Sequence, residues 1–392
     1  MRQGLTALAV TLTLAGCSSV IGLNDYNQQT VGALRQVELP PARPSEPEKN
    51  RDTAIRHYQA FLQESPDSKF VPEAIRRLAD LNLESEQEAL VEGKLPPGES
   101  RAAKLYAELL ERFPDYQNND TALYQLARAR EQSGEIEPAM AALTSYAVKY
   151  RDGDKYDEAQ FRRGEYLFVR REYQQAEQAY QAVLEQGPSS DFHQQALYKI
   201  GWARFKQNDY QSALNAYMQL LDETIGELDT AELPSTLSRT DKERIDDTLR
   251  AVSLSFSYLG GNNEIRDYYA KQGARNYEPL IYAQLAALHL SKERFTDAAE
   301  TYSLFANVHP QHREAPLFQS RVIDVYKQAG FSERVLEEKQ AFIERYEPAA
   351  PYWTQHDPAQ APDVLTQVQR HLRDVAQHYH AVAQAQNKPK AY

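Results

Sequence analysis

The side chains able to do chemistry are few in this sequence and poorly spaced for it. His371, His378 and His380 fall in one stretch near the end, but a helix holds a metal through ligands three or four residues apart, so that both face one side. Spacings of seven and two do not supply that, so these histidines read as a solvated helix face and no metal is expected. Asp152, Asp154, Asp157 and Glu158 open with the alternating oxygens of a calcium loop, yet the later Gly and the Glu at the twelfth place are missing. A solvated turn is the expectation there. Asp246 and Asp247 are adjacent, and adjacent helical residues point in different directions, which keeps them from working as an acid–base pair. The sequence contains no Gly-rich phosphate loop, no His-Glu-x-x-His, no Gly-x-Ser-x-Gly and no pair of cysteines. Neither an enzyme nor a cofactor is expected.

One reactive side chain remains, because Cys17 is the only cysteine among 392 residues. Arg2 and an apolar run over residues 5–14, too short to stay in a bilayer as a spanning helix, lead into Leu14-Ala15-Gly16-Cys17. That tetrapeptide resembles the bacterial lipobox. The resemblance implies diacylation of the Cys17 thiol, removal of the signal peptide over residues 1–16, and acylation of the new amino group. Three acyl chains exceed the two signals that stable membrane anchoring requires. Ser18 stands where lipoproteins retained in the inner membrane carry Asp, so the same resemblance implies an outer-membrane lipoprotein facing the periplasm. With its cysteine acylated the chain forms no disulfide, and stability must come from packing.

The elements that follow are legible from periodicity. Residues 17–50 carry Pro40, Pro41, Pro44 and Pro47 with little apolar pattern, which predicts an extended tether. Beyond it, Asp52 can cap a helix bearing Ile55, Tyr58, Phe61 and Leu62, a second helix of a pair without its first. Residues 51–221 read as repeated units, and from Ala122 to Leu221 the chain aligns with itself every 37 residues. Ala122, Ala159 and Ala196 form one column, Tyr124, Phe161 and Tyr198 the next, Ala127, Gly164 and Gly201 a third. Ala139, Ala176 and Ala213 follow, then Leu143, Tyr180 and Tyr217. A fixed period of this length marks stacked supersecondary units. Small residues stand where helices must approach closely, and aromatics stand where the gap must be filled.

This small–small–aromatic spacing resembles the tetratricopeptide repeat, with Gly164, Ala176, Tyr180 and Pro188 in one row and Ala286, Ala298, Tyr302 and Pro310 in another. The resemblance implies an all-α, tetratricopeptide-like solenoid of antiparallel helix pairs. Rows lengthened from the usual 34 residues are similar to the periplasmic lipoproteins of the BamD and CpoB type. Arg130 and Arg204 depart from the pattern, standing where an aromatic is common, and Arg151 replaces the terminal Pro.

Residues 222–240 read as an insertion, since Gly226, Pro234 and several Ser and Thr break the register. Degenerate repeats continue over residues 241–347, with a helix expected over 245–259, a stop at Gly260-Gly261 and a short return helix. A Pro-rich break at 348–362 precedes a last helix and tail, 363–392, with Leu365, Val368, Leu372, Val375, Ala376 and Tyr379 on its expected packing side. That helix reads equally as a solvating cap or as the first half of a further pair in a longer protein.

An open stack of hairpins offers a groove and no enclosed reaction centre, so the expected work is binding. A net charge of −12 speaks against nucleic acid, whose phosphates demand Lys and Arg. Most of the 25 tyrosines occupy repeat positions and read as packing. Tyr166, Lys199, Trp202 and Arg204 form the candidate partner-binding group on the concave side, where aromatics anchor ligands well. The lipoprotein resemblance implies envelope partners of three kinds: barrel-assembly factors, peptidoglycan or Tol-Pal components, and TonB/ExbB-type complexes, the last by likeness to large repeat lipoproteins of gammaproteobacteria. The alternative is a lipoprotein that binds a small molecule or recruits an enzyme through the 222–240 insertion. The oligomeric state stays open.

Overall fold

The computed structural model describes residues 47–93, 100–226, 228 and 237–385. Cys17 with its signal peptide, the tether up to residue 46, residues 227 and 229–236 of the insertion and the tail from 386 lie outside the described residues. The chain divides into two units, Met1–His57 and Tyr58–Tyr392. The first helix, α1 (Pro47–Glu64), crosses that division. It starts before the expected Asp52 cap, inside the stretch read as tether, because proline is tolerated in a first helical turn where its missing N–H has no partner to lose. In the first unit Arg56 donates to Thr53 Oγ1 at 3.1 Å.

The second unit is helical throughout its described residues. It runs α2 (Val71–Val91), α3 (Arg101–Arg112), α4 (Asn119–Gln132), α5 (Ile136–Lys149), α6 (Tyr156–Val169), α7 (Tyr173–Leu184), α8 (His193–Lys206) and α9 (Tyr210–Thr224). After the insertion come α10 (Arg239–Leu259), α11 (Asn262–Gln272), α12 (Glu278–Ser291), α13 (Phe295–Val308), α14 (Ala315–Gln328) and α15 (Ser332–Tyr346). Two short 3-10 turns, Pro351–Thr354 and Pro358–Gln360, lead to α16 (Pro362–Ala385). From α2 to α9 consecutive helices pack on one another; past the insertion α10 packs on α9 and α12, and the sequence of neighbours resumes to α16. This is the nearest-neighbour packing of a solenoid. No described helix is long and apolar enough to cross a membrane.

The hairpins are closed by one recurring turn. After α6 the Glu172 amide donates to the Leu167 carbonyl at 2.9 Å and the Arg171 amide to Phe168 at 3.0 Å. These are the crossed bonds of a Schellman cap, which place one residue in the left-handed region. The same pair of bonds follows α4, α8, α12 and α14, with Gly134, Arg171, Asn208, Glu293 and Gly330 at φ between 57° and 82°. The interval of 37 residues therefore returns after the insertion, from Glu293 to Gly330. The α10–α11 turn differs, since Gly260 and Gly261 are both at positive φ, 143° and 69°.

The expected packing columns form the core. Ala127, Ala139, Ala176, Ala213, Ala286 and Ala298 are buried between helices, and Tyr180 and Tyr217 are wholly enclosed. A Cβ on Gly164 would meet Tyr180 Cε1 at 2.5 Å. Where the first helix carries Ala127, the facing residue is the smaller Leu143, also buried. Burying each such ring is worth about 2–3 kcal/mol. Tyr302, opposite Ala286, turns its ring onto Phe318 with centroids 5.6 Å apart.

Local chemistry sets several helix starts. Ser100, Asp209 and Ser238 accept from the amides of Ala103, Ser212 and Asp241, each cap worth about 1 kcal/mol. The Ser238 cap starts α10 six residues before the expected Ile245.

The last helix departs from expectation in its orientation. α16 buries Val368 and His371 and leaves Leu372 and Tyr379 exposed. His371, read as part of a solvated face, is 1% exposed and its ring lies 5.1 Å from that of Phe342. The helix meets α15 along the line Val364, Val368, His371, and Lys339 pairs with Asp374 at 2.5 Å to hold it there.

Candidate functional site

The geometry around α8 separates residues that the sequence groups together. Lys199 donates to Glu165 at 2.7 Å on α6 and lies 5.5 Å from the Phe168 ring centre. Arg204 donates to Glu177 on α7 at 2.8 Å and to the Ser212 carbonyl on α9 at 3.3 Å. Its column-mate Arg130 makes the same bond to the Pro138 carbonyl at 3.3 Å. The departure from an aromatic at this column is therefore compensated by a clamp onto the start of the second helix. Two residues along a helix turn a side chain by about 200°, which carries Arg204 away from Trp202. Both cations serve as braces between helices, so neither is the free basic part of a patch. Tyr166 packs against the core cluster of α2–α6, apart from Trp202, which packs with α9–α14. Burial and then the Glu131 carboxylate push the Tyr166 hydroxyl upward from 10.0.

What surrounds Trp202 is a continuous aromatic surface on α8, α9 and α10. Its ring stands edge-on to Tyr198 at 6.4 Å and to Phe205 at 5.4 Å. Phe205 packs on Tyr210 at 5.1 Å and on Tyr258 at 5.5 Å, and the last two stack at 4.8 Å. Tyr258 is 63% exposed, and the Lys206 ammonium lies 5.9 Å from the Trp202 ring centre. An aromatic surface half open to water, with a cation over one ring, can bind apolar side chains beside an anion. Sequence reasoning found Trp202 and missed Tyr210 and Tyr258. Tyr258 follows the insertion, so its column cannot be read, and only its place at the end of an apolar helix signalled it.

The other candidate chemistry resolves into structure. Asp157 accepts from the Ser190 hydroxyl at 2.5 Å and the Glu158 amide at 2.8 Å, tying two turns together. Asp247 pairs with Arg250 at 2.8 Å. Among the described residues no group of His, Cys, Asp and Glu is arranged to hold a metal ion. One open cavity of about 340 Å³ lies between Asn307, Arg345 and Tyr352, with no residue of the 222–240 insertion in its lining; residues 227 and 229–236 of that insertion are outside the described residues.

Comparison with known proteins bears on the repeats. Tetratricopeptide-repeat family models match residues 124–191 and 195–223. No curated protein matches the chain. Among solved structures, the MamA protein is 18% identical, covering 49% of this chain and 88% of its own, with a TM-score of 0.35. A tetratricopeptide repeat protein from Parabacteroides merdae is 16% identical over 65% of this chain and 86% of its own, with a TM-score of 0.35. The C-terminal part of a repeat protein from Cytophaga hutchinsonii is 13% identical over 69% and 95%, with a TM-score of 0.36. Repeats of this family serve as scaffolds for protein–protein interaction, and no catalytic family is indicated. Both matched stretches fall on the hairpins α4 to α9, so the part of the chain over residues 124–223 carries tetratricopeptide repeats.

Proposed function

We propose that this chain is a non-enzymatic scaffold, held in the outer membrane by lipid on Cys17, that gathers envelope proteins on the surface around Trp202. The observation carrying the binding role is the half-exposed aromatic surface of Trp202, Phe205, Tyr210 and Tyr258 on an open stack of hairpins. Anchorage is supported by the lipobox-like Leu14-Ala15-Gly16-Cys17, which holds the only cysteine. Barrel-assembly factors, peptidoglycan or Tol-Pal components and TonB/ExbB-type complexes are the partner classes, by resemblance to lengthened-repeat lipoproteins.

Two measurements test this. Labelled palmitate should enter the wild-type chain and not Cys17→Ala, and the variant should leave the outer-membrane fraction. A photo-crosslinker at position 258 should trap a stoichiometric envelope protein, while one at the exposed Arg239, away from the patch, should not. A chain that takes up no lipid loses the anchor. Equal trapping at both positions removes the assigned surface.

A further inference from the structure

Two successive hairpins differ at one column, and the difference leaves a donor without an acceptor. In the first, the Tyr180 hydroxyl donates to Glu165 Oε1 at 2.5 Å, and Lys199 holds the same carboxylate at 2.7 Å. In the second, Tyr217 fills the equivalent notch, and the place of Glu165, 37 residues on, is taken by Trp202. The Tyr217 hydroxyl is buried and has no hydrogen-bond partner. Its residue is 0% exposed, and its ring lies 6.3 Å from both Trp202 and Tyr198. A buried donor left unpaired costs about 1–3 kcal/mol. The neighbouring ammonium of Lys206 has no carboxylate partner among the described residues and lies 5.9 Å from the centre of the same indole.

We propose that a carboxylate on a partner protein occupies this column, so that the α8–α10 surface is a docking site for an acidic segment flanked by aromatic or large apolar residues. Charge complementarity selects the occupant. The orphaned hydroxyl asks for an acceptor, the unpaired ammonium makes that acceptor anionic, and the surrounding rings take apolar side chains beside it. Trp202 turns aside to admit the carboxylate, which then stands toward Tyr217 as Glu165 stands toward Tyr180. Lys206, four residues along the same helix from Trp202, supplies a cation beside it, where Lys199 reaches Glu165 from the next repeat. The inference rests on the scaffold reading and names the chemistry of its partner.

The test uses the full chain and a fluorescent, acetylated pentapeptide alternating phenylalanine and glutamate, with its glutamine counterpart as control. Anisotropy should show the glutamate peptide binding at least tenfold more tightly than the control. Tyr217→Phe, which removes the orphaned hydroxyl and should fold at least as well, should reduce that preference several-fold. Trp202→Glu restores an internal carboxylate; it should raise the melting temperature and abolish peptide binding. Equal affinity for both peptides, no binding of either, or an undiminished preference in Tyr217→Phe overturns the proposal. If those results accompany crosslinking of an envelope protein from position 258, the scaffold reading stands and only the acidic partner is lost.

Discussion

Tyr217 lies in the notch left by Gly201, so closely that a Cβ on the glycine would come within 2.6 Å of the tyrosine Cζ. Both residues sit on rigid helices, so neither backbone can yield without disturbing the next hairpin. Gly201→Ala should therefore destabilise by about 1–3 kcal/mol, as overpacking does. The Ala127–Leu143 row shows the accommodating pair. Adding Tyr217→Leu to Gly201→Ala should recover part of the loss, giving a favourable coupling of about 1–2 kcal/mol in a double-mutant cycle. Urea unfolding of the four proteins measures it, and strict additivity would mean that the two residues do not share the notch.

The recurring left-handed turn position makes a second prediction. Arg171 and Glu293 hold φ of 64° and 57°, where a Cβ crowds the following carbonyl at a cost of about 1 kcal/mol. Glycine relieves that crowding at a smaller entropic cost. Arg171→Gly and Glu293→Gly should each raise the unfolding midpoint by an amount equivalent to a few tenths of a kcal/mol up to ~1 kcal/mol. Asn208→Gly should change little, since asparagine tolerates the conformation. A ranking with Asn208→Gly as the most stabilising would contradict the argument.

Acid should release the last helix first. Burial, then the charges of Arg370, Lys339 and Lys327, lowers His371 to about 4 from 6.5, against a smaller raising effect of Asp374. Because the folded pKa is depressed, the unfolded imidazole takes up its proton first as pH falls. The contribution is complete above about pH 6.5 and declines toward pH 4. Each unit in that window costs up to about 1.4 kcal/mol. Hydrogen exchange of α16 amides, corrected for intrinsic rates, should show protection falling between pH 7 and pH 5. In His371→Leu the fall should be much smaller; an equal fall in both would remove His371 as its cause.

Arg204 and Glu177 should behave as one unit. Their side chains are about a quarter exposed, so the pair is worth at most about 1 kcal/mol after solvent screening. Arg204→Ala also removes the bond to the Ser212 carbonyl and should cost more than Glu177→Gln. The two together should cost less than their sum, by thermal denaturation. A partner-binding defect from Arg204→Ala with unchanged stability would restore it to the contact surface.

The columns of small and aromatic residues were readable because stacking hairpins at constant spacing demands the same sizes at the same places. Gly164 with Tyr180 and Gly201 with Tyr217 announce the fold before any coordinates. The turn column is half silent, since Gly134 and Gly330 mark a left-handed residue while Arg171 and Glu293 carry no such mark. Lys199 and Arg204 sit close to Trp202 in sequence, and only the angular position of each on α8 and its acceptor on a neighbouring helix reveal a bracing role. Likewise Tyr258 reaches Tyr210 through tertiary approach across the insertion. On α16 Val368 docks as expected, but Leu365, Leu372 and Tyr379 lie roughly 70° round the helix from the row Val364, Val368 and His371 at about 100° per residue, and docking follows the second row.

Nearest-neighbour packing also has a mechanical meaning. A load applied at one end of the second unit must pass through the hairpin interfaces one after another, with few lateral ties to share it. Yield is then set by the weakest junction. Because α10 packs directly on α12, α11, which buries only Ile265 and Tyr269, lies beside that path, and its release should lengthen a stretched molecule little while the hairpins on either side hold.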